Sequence, residues 1–576
     1  MKSNKLWMLA IILTCSFLLM SCLTGDNDDT PSGGDDKPAA GTADVAILYY
    51  GIGGGDLDDE AEKDFMSAAV SMYYKAKNVR YFVQYKYSGQ EGYEENLKKK
   101  KKAWPLYNYV MSGDFGCVYR YELSWPMFDE HCVNENNELV DLETLGTKAF
   151  RDLSPYKVGD AAYQMYEPSN LSGYVRWALQ QAPEVKAVVL CLGDHGGAYS
   201  PIHDYDKSKA QTRGVMYDDN LEDKPCMSAQ EIASALNLLS ADERAKIKII
   251  NFDCCLMNNL EVLGELKDLV PYVMASSHSV PSADHGELVE RMGESKGELK
   301  AMADNAKVYI SHLLEKQRKL FFSYNKQMDV YRNLDYTVTD MSKLDALFAS
   351  LKAVVDYLTS EANAPTLTAM SSQYEMAASQ CYQFVNTFPY YDVMDYLNKL
   401  RDNVFPGDSQ FAELVSNVKA AVKAAQYGHV DYTYSLDTEN GANDLGLSYS
   451  VMLGCNAGVF SFEGNAATAD PNQGAIMMSV NAKGENDAPY NYIVMENGDC
   501  YYHYMQKGEE VSYKVIDQQS GDGAPYKSWA NTYQTTVFDK VTGWSQWMRI
   551  NPGLPYGNPP KGDDGDNAEW LIDFEL

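Results

Sequence analysis

The stretch from Lys246 to Leu266, KIKIINFDCCLMNNLEVLGEL, constrains the fold more than any other part of the chain. Its first half is a β-branched run that predicts a buried parallel strand ending at Asp253, and leucines then recur at helical spacing from Leu256 onward. Cys255 is therefore predicted to lie where a strand passes into a helix. The unpaired N–H groups and positive dipole end of a helix start stabilise a thiolate, the nucleophilic form of cysteine.

A second apolar run, Val185 to Ser200, predicts another strand and contains Asp194-His195-Gly196-Gly197 at its end. In an open α/β sheet both strands end at the same carboxyl edge, where such folds place their sites. His195 and Cys255 at that edge form a base and nucleophile pair suited to covalent catalysis. The glycines let backbone amides approach a substrate carbonyl, so the N–H groups of Gly196 and Cys255 are the candidate oxyanion donors.

These motifs resemble the clostripain family of cysteine peptidases: a strand followed by His-Gly-Gly, and a strand followed by Asp-x-Cys-Leu-Met and Glu261. The resemblance extends over residues 43–290 and includes Val45–Asp59, Val79–Tyr87 and Pro271–Gly286. Two positions depart from the family's pattern. Cys254 stands where a small residue is usual, and Tyr199 stands where a tryptophan is expected.

The resemblance implies an α/β fold with a caspase-like, mostly parallel sheet flanked by helices. Helical periodicity then predicts a helical region over 291–428, and the strands that follow predict a smaller β-rich C-terminal region over 429–576 with a loose tail. The catalytic domain is expected over 43–290. A chain of 576 residues with 45% hydrophobic content can bury more than one core.

The resemblance also implies a cysteine endopeptidase that cuts after Arg or Lys through a thioester, so the substrate is a protein or peptide. A pocket for a basic side chain needs a carboxylate, and Asp253, two residues before Cys255, is the first candidate. Asp284, after the next strand, is the second. Two other hypotheses use the same chain: a catalytically silent surface-binding lipoprotein with this fold, and an acyl or peptidyl transferase.

The polar segment Tyr199–Pro225 is predicted to be a loop at the active-site edge. It presents Lys207, Lys209 and Arg213, which makes it the expected region of self-cleavage. No cofactor is predicted, but calcium, which some clostripain relatives use, is left open. Its candidate ligands are the acidic residues of the same loop: Asp204, Asp206, Asp218, Asp219, Glu222 and Asp223.

The amino terminus has the layout of a secretion signal: Lys2 and Lys5, an apolar run, and then Ser21-Cys22. The run resembles a bacterial lipobox, so residues 1–21 are predicted to be a signal peptide and Cys22 the lipid-bearing first residue. Residues 22–42 are acidic, rich in Gly and Pro, and predict a flexible tether. The expected location is the bacterial cell envelope, with the protein lipid-anchored at the outer membrane and surface-exposed.

The formal net charge of −32 argues against a nucleic-acid partner, because phosphates need a basic surface. Of the eleven cysteines, Cys15 is predicted to leave with the signal and Cys22 to carry lipid, which leaves an odd number. Without paired CxxC spacing they predict neither a disulfide framework nor a zinc cluster. No feature of the sequence sets an oligomeric state.

Overall fold

The computed structural model describes a large part of the chain. The described residues are 43–55, 57–100, 114–128, 152–197, 199, 215–218, 221, 225–278, 283–328, 334–370, 373–374, 376–377, 381, 383–385, 390–437, 441–448, 454–456, 491–496, 499–506, 509–516, 536–544 and 546–547. The predicted signal peptide, Cys22 and the tether lie outside them, as do Lys207, Lys209 and Arg213.

Helices and strands alternate through the first half of the chain, as the sequence predicts. The helices are α1 Asp58–Tyr74, α2 Gln90–Lys100, α3 Pro168–Gln181, α4 Ala229–Asn237, α5 Ala241–Lys246, α6 Leu260–Leu266, α7 His285–Glu294, α8 Leu299–Met328, α9 Leu344–Leu358, α10 Ala364–Ala369, α11 Val393–Asn403, α12 Ser409–Ala425 and α13 Val537–Thr542. The strands are β1 Val45–Ile52, β2 Val79–Lys86, β3 Val118–Glu122, β4 Lys157–Gly159, β5 Ala187–Gly193, β6 Ile247–Asp253, β7 Tyr272–Ala275, β8 Leu334–Asp340, β9 Gln383–Val385, β10 Tyr390–Asp392, β11 Gln426–Asp437, β12 Gly441–Ser448, β13 Gly454–Asn456, β14 Asn491–Glu496, β15 Asp499–Gln506 and β16 Glu509–Ile516.

Ten strands form one sheet in the order β12-β11-β8-β7-β6-β5-β1-β2-β3-β4. The five central strands, from β7 to β2, run parallel. Antiparallel strands extend the sheet at both edges. Every residue of β1 and β5 is buried, which explains why these strands are apolar without a polar alternation. The α/β fold with a parallel central sheet that the sequence predicts is therefore confirmed.

Helices cover both faces of this sheet. One face packs against α1, α7 and α8, whose buried residues include Phe65, Leu288 and Ile310. The other face packs against α3, α4, α6, α9, α11, α12 and α13, and Trp544 and Trp547 beside α13 belong to the same core. The molecule thus has a three-layer α/β/α architecture, and the carboxyl edge of the parallel strands is open to a site.

The sheet crosses both predicted boundaries, at 290 and at 428. Strand β8 belongs to the predicted helical region, and β11 and β12 belong to the predicted C-terminal region, yet all three pair within the main sheet. The helices between them bury their apolar sides against its faces, because an amphipathic helix needs such a surface. Strands β8, β11 and β12 therefore extend the main sheet, and the described helices between them pack on it.

Local signals in the sequence are accurate where a cap marks the helix. Ser228 followed three residues later by Glu231 predicts a capping box, and helix α4 begins there: the Ser228 hydroxyl accepts from the Glu231 N–H, and the Glu231 carboxylate accepts from the Ser228 N–H. The strands β14, β15 and β16 form a separate three-stranded antiparallel sheet.

Within the described part of the chain, no helix combines the length and apolarity that a membrane span requires.

Candidate active site

Strand register brings His195 and Cys255 to the same edge of the sheet. Strands β5 and β6 are parallel neighbours, and their last paired residues are Gly193 and Asp253. The Asp194 N–H continues the ladder by donating to the Asp253 carbonyl at 3.4 Å. His195 and Cys255 each lie two residues beyond the paired ends, and both are half-buried. The histidine and the cysteine thus lie just past the ends of adjacent strands, at the carboxyl edge that the two strand runs predict for them.

The backbones of Gly196 and Cys255 lie against each other. A Cβ built on Gly196 would lie 1.9 Å from the Cys255 carbonyl oxygen and 2.7 Å from the Cys255 nitrogen. Since no side chain fits at that distance, glycine at position 196 is required by this close approach. The two residues proposed as oxyanion donors are therefore neighbours at the main-chain level.

The glycine-rich loop after β1 packs on the catalytic histidine candidate. Gly54 has φ +54°, and a Cβ on it would lie 2.9 Å from His195 Cδ2 and 3.4 Å from His195 Nε2. The glycine-rich stretch Gly51–Gly55 lacks the spacings of a phosphate-binding loop and so predicts a turn at the sheet edge, and the structure has a turn at this place. The sequence carries no signal that the turn borders the imidazole, because the contact joins residues far apart in the chain.

The two adjacent cysteines have different environments. Cys254 is 2% exposed, and its thiol donates to the Leu192 carbonyl at 3.1 Å. Burial, and then the nearby Asp194 carboxylate, raise the pKa of the Cys254 thiol well above its usual range. Cys254 is therefore an inert core thiol, and Cys255 is the one that reaches the edge.

The predicted helix start at Cys255 is wrong. Helix α6 begins five residues later, at Leu260, with Asn259 as its N-cap. The intervening turn places Leu256 at φ +65°, and the Leu256 N–H donates to the His278 carbonyl at 3.0 Å. The Asn259 side-chain amide donates to the Leu256 carbonyl at 2.9 Å. A hydrogen-bonded turn thus follows Cys255, which does not lie at the helix start.

A buried polar network behind this turn was not predicted. The Asp335 carboxylate accepts from the main-chain N–H groups of Ser277 and His278 at 3.0 Å, and it contacts His278 Nδ1 at 2.6 Å. Burial raises the pKa of the Asp335 carboxyl, but the His278 imidazole outweighs it and holds that pKa below its usual value. The network holds the segment whose carbonyl bonds Leu256, and so it positions Cys255 indirectly.

The loop proposed for self-cleavage is anchored at its downstream end. The Tyr217 N–H donates to the Asp194 carboxylate, next to His195. Asp218 forms a fully buried ion pair with Lys86 at 2.5 Å, and Lys86 also donates to the Ala161 and Tyr163 carbonyls. Asp218, one of the candidate calcium ligands, is thus already paired with a lysine. The remaining acidic residues of that proposed set lie outside the described residues.

Asp253 belongs to a buried cluster with Asp64 and His285. Its carboxylate lies 3.1 Å from His285 Nε2, and its side chain is 12% exposed. Burial, and then the Asp253 charge, raise the pKa of the Asp64 carboxyl well above its usual range. His285 Nδ1 in turn meets the Tyr81 hydroxyl at 2.8 Å. The sequence indicates only Asp253, because Asp64 and His285 are distant from it in the chain and contact it only in the folded structure.

Asp284 has other partners. Its Oδ1 accepts from the Glu287 N–H at 2.9 Å as the N-cap of α7, and its Oδ2 accepts from Lys316 at 2.6 Å. Burial raises the pKa of the Asp284 carboxyl, yet the Lys316 ammonium outweighs it and holds that pKa below the usual value. The carboxylate is therefore ionised and already paired with a lysine.

A parallel sheet with a cysteine and a histidine at its carboxyl edge defines the class of α/β cysteine hydrolases. The model of the clostripain family matches residues 157–549, more than half of the chain. The chain belongs to the clostripain family and is a cysteine peptidase. The resemblance inferred from the two motifs is thereby confirmed.

Several solved structures are similar to this chain at low identity. A secreted C11 cysteine protease from Bacteroides thetaiotaomicron, "iotapain", is 15% identical, with a TM-score of 0.41, 70% of this chain covered and 91% of that chain. A complex of such a protease with an irreversible peptide inhibitor has 13% identity, a TM-score of 0.43, and 72% and 92% coverage. An inactive zymogen C11 protease from Parabacteroides distasonis has 12% identity, a TM-score of 0.42, and the same coverage. No curated protein is similar enough to match the chain.

Proposed function

We propose that this cysteine peptidase is an endopeptidase that cuts protein substrates after Arg or Lys, with Cys255 as nucleophile and His195 as base. His195 takes the Cys255 thiol proton, the sulfur attacks the scissile carbonyl, and N–H groups of Gly196 and Cys255 bind the oxyanion. The C–N bond breaks as the imidazolium protonates the leaving amine. His195 then deprotonates a water that attacks the thioester, which releases the acid and the Cys255 thiol.

The observation that carries this proposal is the pairing of Gly193 with Asp253. It aligns His195 with Cys255 on neighbouring strands, while the glycine at 196 brings its backbone against that of Cys255. A general base must stand within hydrogen-bond reach of the proton it removes, and the position of the two residues just past adjacent strand ends supports this assignment.

The charge of the Asp253 cluster supports recognition of a basic side chain. In the described part of the chain, neither Asp253 nor Asp64 forms an ion pair with a lysine or arginine, so the Asp253 carboxylate is available to a cation from the substrate. A partly buried carboxylate pairs an incoming guanidinium strongly. Asp284 is the weaker candidate, since a substrate side chain would have to displace Lys316.

Reporter peptides that differ only at the residue before the cut test this specificity. Asp253→Asn is expected to lower kcat/KM for Arg and Lys reporters by at least about 30-fold, because losing one partner of a buried charge pair costs about 2–5 kcal/mol. The matched control is Asp284→Asn, for which a smaller loss is expected. Retention of the basic preference in the Asp253→Asn protein would rule out the pocket assignment.

Self-processing in the 199–225 loop is the second part of the proposal. Val215 pairs with Met227, and the two anchors at Tyr217 and Asp218 hold the segment just after Arg213 beside the site. A cut before Val215 would leave two chains, one with β5 and one with β6, joined by the sheet and these bonds. Amino-terminal sequencing should find a new terminus between Ser208 and Gly214 in the wild type and none in Cys255→Ala. An intact, active wild-type chain would exclude it.

Lipid anchoring at the outer membrane is the third part. It rests on the apolar run before Cys22 and on the acidic tether after it. In a bacterial host, labelled fatty acid should enter the full chain and not Cys22→Ala. Equal labelling of the two proteins would refute the lipobox.

A further inference from the structure

We propose that Asp64, Asp253 and His285 form a binding site for a divalent transition-metal cation of the zinc or cobalt type. The site consists of two carboxylate oxygens and one imidazole nitrogen, and these three ligand atoms lie within 4.8 Å of one another. Asp253 is the last residue of β6, so the cluster lies at the carboxyl end of this strand, two residues from Cys255 in the sequence.

The spacing fits a coordination shell. Ligand atoms about 2.0–2.2 Å from a metal stand roughly 3 Å apart along the edges of a tetrahedron or octahedron. The Asp253 oxygen and His285 Nε2 are already 3.1 Å apart. The Asp64 carboxylate lies within 4.8 Å of both, and three protein ligands leave a position for water.

A second contact orients the imidazole. His285 is fully buried, and its Nδ1 lies 2.8 Å from the Tyr81 hydroxyl. When Nδ1–H donates to that hydroxyl, the Nε2 lone pair faces the two carboxylates. Metal-binding histidines commonly use their other ring nitrogen in this way.

The donor set distinguishes this site from a calcium site. Calcium prefers six to eight oxygen ligands, whereas one imidazole with two carboxylates suits zinc, cobalt, manganese or iron. Two carboxylates facing each other with no lysine or arginine bonded to either, in the described part of the chain, also favour a cation between them.

A metal ion bound at this cluster would affect substrate binding, a consequence that rests on the proposed function. A metal on Asp253 withdraws the carboxylate that we assign to the basic side chain of the substrate, so the cation should compete with Arg and Lys substrates. Metal binding itself does not depend on that assignment.

The test uses Co²⁺ on the full chain carrying Cys255→Ala, which removes the thiolate as a competing ligand. Visible d–d absorption should saturate at one Co²⁺ per chain, and Zn²⁺ should displace it. Asp64→Asn and His285→Gln in this background should weaken Co²⁺ binding by more than about 100-fold, since even outer-shell changes cost about 10–100-fold. Tyr81→Phe, which removes one hydroxyl and keeps the packing, should weaken Co²⁺ binding by about 10–100-fold.

The matched control is His312→Gln. His312 also contacts a carboxylate, Glu287, at 2.6 Å, but it is exposed and outside the cluster. Its loss should leave Co²⁺ binding unchanged. The proposal is overturned if Co²⁺ gives no d–d bands, if Asp64→Asn and His285→Gln bind Co²⁺ as tightly as the Cys255→Ala protein, or if Ca²⁺ binds the cluster as tightly as Zn²⁺. Failure of the basic specificity with intact Co²⁺ binding would overturn the pocket assignment alone.

Discussion

Adding one methyl group at Gly196 is the most revealing perturbation of the site. In Gly196→Ala the new Cβ would stand 1.9 Å from the Cys255 carbonyl oxygen, whereas ordinary contacts begin at 3.4 Å. The two backbone segments must therefore separate by about 1.5 Å. A displacement of about 1 Å between reacting groups costs about 10²-fold, and losing one oxyanion donor costs about 10²–10³-fold. We expect kcat/KM to fall by about 10²–10³-fold.

The assay is reporter-peptide hydrolysis, with thermal unfolding measured in parallel. Gly173→Ala is the matched control, because a Cβ at that position on α3 meets nothing within 4 Å. Gly54→Ala should fall between the two, since its Cβ meets the His195 ring at 2.9 Å and its φ is +54°. If Gly196→Ala retained more than a tenth of wild-type kcat/KM, the close approach of positions 196 and 255 would not matter for the reaction.

Two further predictions concern buried charges. Asp335→Asn should lower the free energy of unfolding by about 3–5 kcal/mol at neutral pH, since it removes the buried carboxylate charge that contacts the His278 imidazole. Because the folded-state pKa of Asp335 lies below its usual value, this stability difference from wild type should shrink as the pH falls through the range where carboxyl groups titrate. Urea unfolding at several pH values measures the difference, and a difference that stays constant with pH would refute the prediction. Lys86→Met should cost about 3–5 kcal/mol by stranding Asp218, and adding Asp218→Leu should recover most of that loss. Equal stability of the single and double variants would contradict this.

The sequence predicted those features that depend on neighbours in the chain. The apolar runs before His195 and Cys255 became adjacent parallel strands, because a buried strand requires continuous apolar residues. The helix after Ser228 begins where its capping box predicts. These signals are local, so one sequence is enough to find them.

The features that it missed depend on distant contacts. Leucine spacing after Cys255 suggested a helix that starts there. The Leu256 N–H instead donates a hydrogen bond to the His278 carbonyl, and the helix begins only after its N-cap, Asn259. The periodicity of apolar residues gives no indication of such a tertiary hydrogen bond. In the same way, nothing in the sequence indicates that Asp64 and His285 lie close to Asp253, or that β11 extends the main sheet next to β8.

Labelling of the active-site thiol tests the central claim most directly. An irreversible peptide inhibitor with Arg at its reactive end should attach to one residue, Cys255, as read by mass spectrometry of the digested protein. Cys254→Ala should keep labelling, because Cys254 is buried with its thiol bonded to the Leu192 carbonyl. Cys255→Ala and His195→Ala should each abolish labelling and reporter cleavage. Labelling or full cleavage that persists in Cys255→Ala would contradict the account.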